Sequence, residues 1–135
     1  MVVYKAFRVG RTGKLLSLIV KGKALTKYKF GEWNMAPRWL EEFGYGPLAF
    51  IDIDDLRRYT EICFNLHNIA IVKCEADDYT VPKCQLYFNA LKNGKFIPCI
   101  AQNLWPKGTV MVGKIKPIQV IEWHSSIKPK FTEAV

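Results

Sequence analysis

Val3-Tyr4-Lys5-Ala6-Phe7-Arg8-Val9, then Gly10-Arg11-Thr12-Gly13-Lys14, then Leu15-Leu16-Ser17-Leu18-Ile19-Val20 is the stretch whose reading decides the fold. The first segment alternates, with Val3, Phe7 and Val9 on one side and Tyr4, Ala6 and Arg8 on the other, which is the two-residue period of a strand. A turn-forming pentapeptide with two glycines then joins it to a second apolar run, so the pair reads as a β-hairpin. A further turn at Lys21-Gly22-Lys23 leads into Ala24 to Phe30, making the first third of the chain a three-stranded meander.

Working outward, Pro37 ahead of Arg38-Trp39-Leu40-Glu41-Glu42-Phe43 and then Gly44 fits a short helix, with proline in the first turn and glycine past its end. Leu48 to Ile51 reads as a short buried strand. Asp52, Asp54 and Asp55 precede an apolar stripe at Leu56, Tyr59, Cys63 and Leu66, which has helical spacing. One aspartate is expected to cap this helix by accepting an N–H that has no partner inside it, while the others favour its positive end. Ile69 to Cys74 is nearly continuously apolar and reads as a central strand covered on both faces.

Cys84 to Leu91 fits either a strand ending in a hairpin at Asn93-Gly94 or a helix closed by Gly94, and the strand is preferred. Phe96 to Ala101, Thr109 to Ile115 and Ile118 to Trp123 follow as strands, with Pro117 expected to break the last two apart. His124 to Val135 reads as a surface tail. The fold class is therefore α+β: a curved antiparallel or mixed sheet of about seven strands packed on one main helix and one short one. The 135 residues form a single domain, 1–135, because there is no repeat, low-complexity tract or linker to divide them.

Half of the residues are apolar and 13% are aromatic, enough to build an interior and to exclude global disorder. No apolar run has the length of roughly 20 residues that crosses a bilayer, and the first residues lack a signal-peptide layout, so a cytoplasmic protein is expected. Cys63, Cys74, Cys84 and Cys99 contain no C-x-x-C pair and are read as reduced, mostly buried thiols.

Charge is distributed unevenly. Residues 1–30 carry eight bases and no acid, residues 31–78 ten acids against four bases, and residues 79–135 eight bases against two acids. The blocks hold +8, −6 and +6, and clustered cations of this kind attract an anionic partner. The candidate ligand-binding residues are Arg8, Arg11, Lys14, Lys21, Lys27, Tyr28, Lys29 and Trp33. Basic groups interleaved with aromatics on a sheet hold phosphates while rings stack on bases. The alternative is tyrosines in the core with lysines facing water. Reversal of Lys128 and Lys130, in a flexible tail, is expected to matter less than reversal of Arg8, Arg11 and Lys14.

Other chemistries find less support. Cys63 and His67 are four apart on a helix, but structural zinc takes four ligands in short paired spacings, so no metal or other cofactor is expected. His124 has no near partner in sequence. There is no nucleophile elbow, P-loop or reactive-cysteine signature, and no catalytic residue is assigned. Trp39 and Trp123 belong to regular elements and are expected in the core, whereas Trp33 and Trp105 lie in loops.

Tyr4-Lys5-Ala6-Phe7-Arg8 with Leu16-Ser17-Leu18-Ile19-Val20, and Trp105-Pro106-Lys107-Gly108-Thr109-Val110-Met111 with Lys114-Ile115-Lys116-Pro117-Ile118, resemble segments of small uncharacterised proteins encoded by bacteriophages and other viruses. The resemblance covers the two ends of the chain and implies a viral accessory origin without an activity. The arginine-bearing first strand also resembles that of ADP-ribosyltransferases, but no S-x-[ST] strand and no clear catalytic glutamate follow at the expected places. The leading expectation is a non-catalytic module for nucleic acid or a nucleotide. A nucleotide-processing or group-transfer enzyme, and a structural subunit whose acidic middle meets the basic ends of another copy in a homo-oligomer, are the alternatives.

Overall fold

The computed structural model describes residues 1–18, 27–41, 46–82, 86–90, 96–100 and 106–131. Among them the elements run β1 (Val2–Val9), β2 (Leu15–Ser17), β3 (Lys27–Tyr28), β4 (Asn34–Met35), α1 (Arg38–Glu41), β5 (Leu48–Phe50), α2 (Ile53–Phe64), β6 (Ile69–Ala76), β7 (Tyr79–Thr80), β8 (Leu86–Ala90), β9 (Phe96–Ile100), β10 (Thr109–Val112) and β11 (Lys114–His124). Nine strands join one antiparallel sheet, and β8 and β9 form a separate hairpin. The α+β class holds, with a curved sheet packed on one main helix. The strand count exceeds the expected seven because β3, β4 and β7 are two-residue strands, too short for alternation to register in the sequence. The Cys84 to Leu91 segment is a strand over Leu86–Ala90.

The alternation in β1 is realised as two cores, one on each face of the sheet. Val3, Phe7 and Val9 join Leu15, Tyr28, Val72, Cys74, Val110 and Ile115 on one face. Ala6 joins Phe50, Leu56, Ile69 and Ile71 beneath α2 on the other. β6 lies between β1 and β11 and is fully buried from Ile69 to Val72, as a central strand covered on both sides should be. Burying each of these large side chains contributes about 1.5–3 kcal/mol. Lys5, on the first face, is accommodated by donating from Nζ to the Leu48 carbonyl at 2.5 Å, with its ammonium 5.4 Å from the Tyr28 ring centroid.

Asp52 caps α2, accepting from the Asp54 N–H at 2.7 Å, while Asp54 and Asp55 occupy the first turn. The predicted stripe needs one correction. Cys63 is exposed, and Phe64 packs against the core under α2 instead. The helix closes at Asn65 in the left-handed region, φ 49°, its N–H donating to the Glu61 carbonyl at 3.2 Å.

The expected break at Pro117 is also corrected. β11 runs through Pro117 as one strand, and the boundary falls at Gly113. There the Asp77 carboxylate accepts from the N–H groups of Gly113 (3.0 Å) and Lys114 (3.2 Å), fixing a corner shared by the β6–β7 and β10–β11 paths. Pro117 is tolerated because the register with β6 shifts between Pro117 and Gln119, so the missing N–H falls at a bulge. Its carbonyl accepts from the Gly31 N–H at 2.9 Å.

The segment after β11 lies on the surface, yet it is fixed as a strap. The Trp123 indole N–H donates to the Ile127 carbonyl at 2.9 Å, and Lys130 N–H to the Gly13 carbonyl at 3.1 Å. Phe131 stacks on Phe30 with centroids 4.6 Å apart and meets Trp123 edge-on at 5.9 Å. No helix among the described residues is long and apolar enough to cross a membrane.

Candidate functional site: a cationic end with a cleft

The β1–β2 turn, the loop after α2 and the strap meet at one end of the sheet. Asn68, left-handed at φ 57°, organises the junction. Its carbonyl accepts from the Val9 N–H at 3.0 Å, and its side-chain amide donates to the Val9 carbonyl at 2.9 Å. Its side-chain oxygen accepts from the Ser125 hydroxyl at 2.7 Å, and that hydroxyl oxygen in turn accepts from the Ile127 N–H at 3.1 Å. Asparagine suits this position because it tolerates the left-handed backbone and has both donor and acceptor atoms in reach.

Gly13 completes the junction. At φ +79° it occupies a region that costs other residues energy, and a Cβ there would stand 2.1 Å from the Lys128 carbonyl oxygen. Only a residue without a side chain lets the strap pass. The result is that Arg11 and Lys14 from the turn and Lys128 and Lys130 from the strap, all exposed, share one surface. This corrects the picture of a free tail remote from the hairpin. The cause is the Phe131 and Ile127 anchorage, which leaves little periodicity in the sequence.

The other predicted residues divide. Lys27 and Lys29 are exposed on the segment leading from β3, whereas Lys21 lies outside the described residues. Arg8 shares its face with Leu16, Lys27 and Ile69, and its Nε is buried without a hydrogen-bond partner. Tyr28 is only 8% exposed and meets Phe7 edge-to-face at 4.8 Å, so its ring belongs to the core and offers no stacking surface.

Trp33, 43% exposed, stands apart from the hairpin turn. It carries the ammonium groups of Lys114 and Lys116 over its ring, 4.8 and 5.1 Å from the centroid. Exposed cation–π contacts contribute about 0.5–1 kcal/mol. Lys116 is also in register with Glu75, and Lys114 follows the corner held by Asp77, so acids border this second lysine group. Trp123 packs against the core as expected, and the side chains of Trp39 and Trp105 are not among those described.

A cleft of about 600 Å³, lined by Leu66, His67, Asn68, His124, Ser125, Ser126 and Ile127, opens beside the cationic end. The sequence paired His67 with Cys63 only as a weak metal set and left His124 alone. In the fold they come from α2's trailing loop and the end of β11 to line one cavity. His124 does have a partner, because Glu122 lies two residues back on the same side of β11, and Nε2 and the carboxylate are 2.9 Å apart. Arg57 Nε from α2 donates to the other Glu122 oxygen. Burial alone would raise the Glu122 carboxyl. The hydrogen bonds from Arg57 and His124, with their charges, outweigh it and hold the group below its ordinary value. Glu122 therefore stays a carboxylate at neutral pH and orients both neighbours.

Among the described residues no group of three or more His, Cys, Asp or Glu side chains is placed to hold a metal ion. Cys63 and Cys74 are free, and burial pushes the Cys74 thiol up to about 12, which makes it a poor nucleophile. Comparison with known protein families, curated proteins and solved structures returns no match for this chain.

Proposed function

We propose that this protein is a non-catalytic module that binds an anionic ligand, nucleic acid or a nucleotide, at the end of the sheet where hairpin and strap converge. The observation that carries the reading is the hydrogen bond from Lys130 N–H to the Gly13 carbonyl, which brings cations from the two ends of the chain onto one surface. Arg11, Lys14, Lys128 and Lys130 supply the field, and none of them has an acid within ion-pair distance among the described residues. Like charges held together repel unless solvent or a bound anion offsets them, so such a surface favours a polyanion. Lys27 and Lys29 extend the field along the segment towards Trp33. A virus-encoded accessory role, implied by the resemblance of the chain's two ends, is compatible with a small binding module of this kind.

Fluorescence anisotropy with a labelled single-stranded oligonucleotide, in a series of salt concentrations, tests the reading. Affinity is expected to fall linearly on a logarithmic scale as salt rises, each neutralised phosphate contributing roughly −0.7 to the slope. Affinity that does not change with salt, or no binding at low salt, refutes it.

A further inference from the structure

α2 leaves part of its own face of the sheet uncovered. Beneath the helix lie Ala6, Ile69 and Ile71, while further along the same strands Val2 pairs with Glu75, and Glu75 with Lys116. Lys114, two residues back on β11, pairs with Met35 of β4. Paired residues, and residues two apart on a strand, leave the sheet on one face, so these five side chains form a row across four strands. Trp33 lies over the two lysines. Val2 is 43% exposed and Met35 55%, which with Trp33 brings three large apolar side chains together in water. Contiguous apolar exposure rimmed by charge marks an interaction surface.

The charges of the row favour one occupant. Lys116 stands opposite Glu75, yet its ammonium turns to Trp33, and among the described residues no base lies within ion-pair distance of the Glu75 carboxylate. The face therefore offers an unpaired acid on β6 beside cations on β11. Turning a second copy by half a revolution about an axis between those strands sets each acid against the other copy's lysines. Glu32 before Trp33 and Asp77 at the corner keep acids mixed with bases, so two chains of net charge +8 can meet here without setting like charge against like. α2 fixes the orientation. It stands on this face over the hairpin half, so a second copy fits only with its own helix turned away, and the two cationic ends then point in opposite directions. Val2 to Arg8 is roughly 20 Å of strand, which puts those ends about 40 Å apart, several times the screening length of about 10 Å at 0.1 M salt.

We infer that this row is the interface of a two-fold dimer, with Trp33, Met35 and Val2 at its apolar centre and Glu75 of each copy against Lys114 and Lys116 of the other. Tryptophan and methionine are enriched in the buried centres of such interfaces. The inference does not rest on the binding function proposed above, because the cationic end lies outside the contact. The dimer presents one cationic end on each side.

Sedimentation equilibrium of the whole chain, freed of nucleic acid, tests the inference from about 1 μM to about 1 mM, a range that covers weak and moderate dimers. A reversible monomer–dimer equilibrium is expected, and a monomer at every concentration overturns the inference. Trp33→Ala, at an exposed position, should weaken the dimer at least about thirtyfold. A dimer that this variant leaves unchanged uses another face and overturns the inference. Glu75→Lys alone and Lys116→Glu alone each set like charges in contact and should weaken association at least about tenfold. An equimolar mixture of those two variants restores opposite charges at both symmetric contacts, so a heterodimer of nearly wild-type affinity should form. Mixing cannot rescue a misfolded chain, so recovery separates the interface from stability. Failure to recover, in variants with wild-type circular dichroism and melting, overturns the inference. Arg11→Glu with Lys14→Glu, at the far end, should lose oligonucleotide binding and keep the dimer. Loss of the dimer in that variant places association at the cationic end and overturns the inference.

Discussion

Two lysine-bearing regions of this molecule look alike in the sequence and differ in the fold. At the hairpin end, Arg11, Lys14, Lys128 and Lys130 are exposed, have no acid within ion-pair distance among the described residues and adjoin a cleft. At the corner between β10 and β11, Lys114 and Lys116 lie over Trp33 and are bordered by Glu75 and Asp77. The number of cations does not distinguish the regions; what surrounds each ammonium does. A charge that already faces an aromatic ring and nearby carboxylates has less field to offer a ligand, and an unpaired one keeps its full attraction.

The sharpest way to break this comparison is charge reversal. Replacing Arg11, Lys14, Lys128 and Lys130 together by glutamate should lower oligonucleotide affinity by at least about a hundredfold and flatten the salt slope by about 3, whereas Lys114→Glu with Lys116→Glu should change affinity severalfold at most. Equal losses from the two sets, measured by anisotropy, would erase the distinction. The four-residue set also contains both hairpin and strap, so reversing each pair alone asks whether the strap belongs to the surface. Comparable losses from the two pairs are expected.

The next largest effect concerns the junction that builds the hairpin end. Asn68→Ala removes a side chain that bonds Val9 and Ser125 and places alanine in the left-handed region, which together should cost about 2–3 kcal/mol in chemical denaturation. The corner at Trp33 offers the counterpart. Asp77→Ala removes two hydrogen bonds to the backbone and should cost about 1–2 kcal/mol, with oligonucleotide affinity unchanged. A loss of binding in that variant would move the site towards Trp33.

The smallest effect is on the acid side of stability. Glu122 has its folded-state carboxyl held below its unfolded value, so its contribution is fully present above the unfolded value and is lost as pH falls through the folded one. Glu122→Gln should therefore lower the melting temperature slightly at neutral pH, where that contribution is fully present, and flatten the acid limb, so that the two profiles converge as pH falls. A profile that keeps its acid slope would show that the Arg57–Glu122–His124 chain makes no such contribution.

Much of the fold was written locally. The alternation of Val3, Phe7 and Val9 against Tyr4, Ala6 and Arg8 determined β1 and its two faces, because strand periodicity needs no knowledge of the partner strand. Asp52 announced the start of α2 for the same reason, since an N-cap acts within a few residues. The apolar run at Ile69 determined the centre of the sheet. Tertiary structure decided what joins what. Pro117 reads as a breaker until a bulge opposite Cys74 absorbs its missing N–H. The strap has no periodicity, because its place comes from Phe131 on Phe30 and from Lys130 on Gly13, contacts that span most of the chain. Composition alone established that the chain carries a large positive excess at its two ends. That those ends meet, that Tyr28 turns inward while His67 and His124 face one cleft, and that Arg8 is left with a donor unsatisfied are consequences of long-range pairing, to which no local pattern in the sequence corresponds.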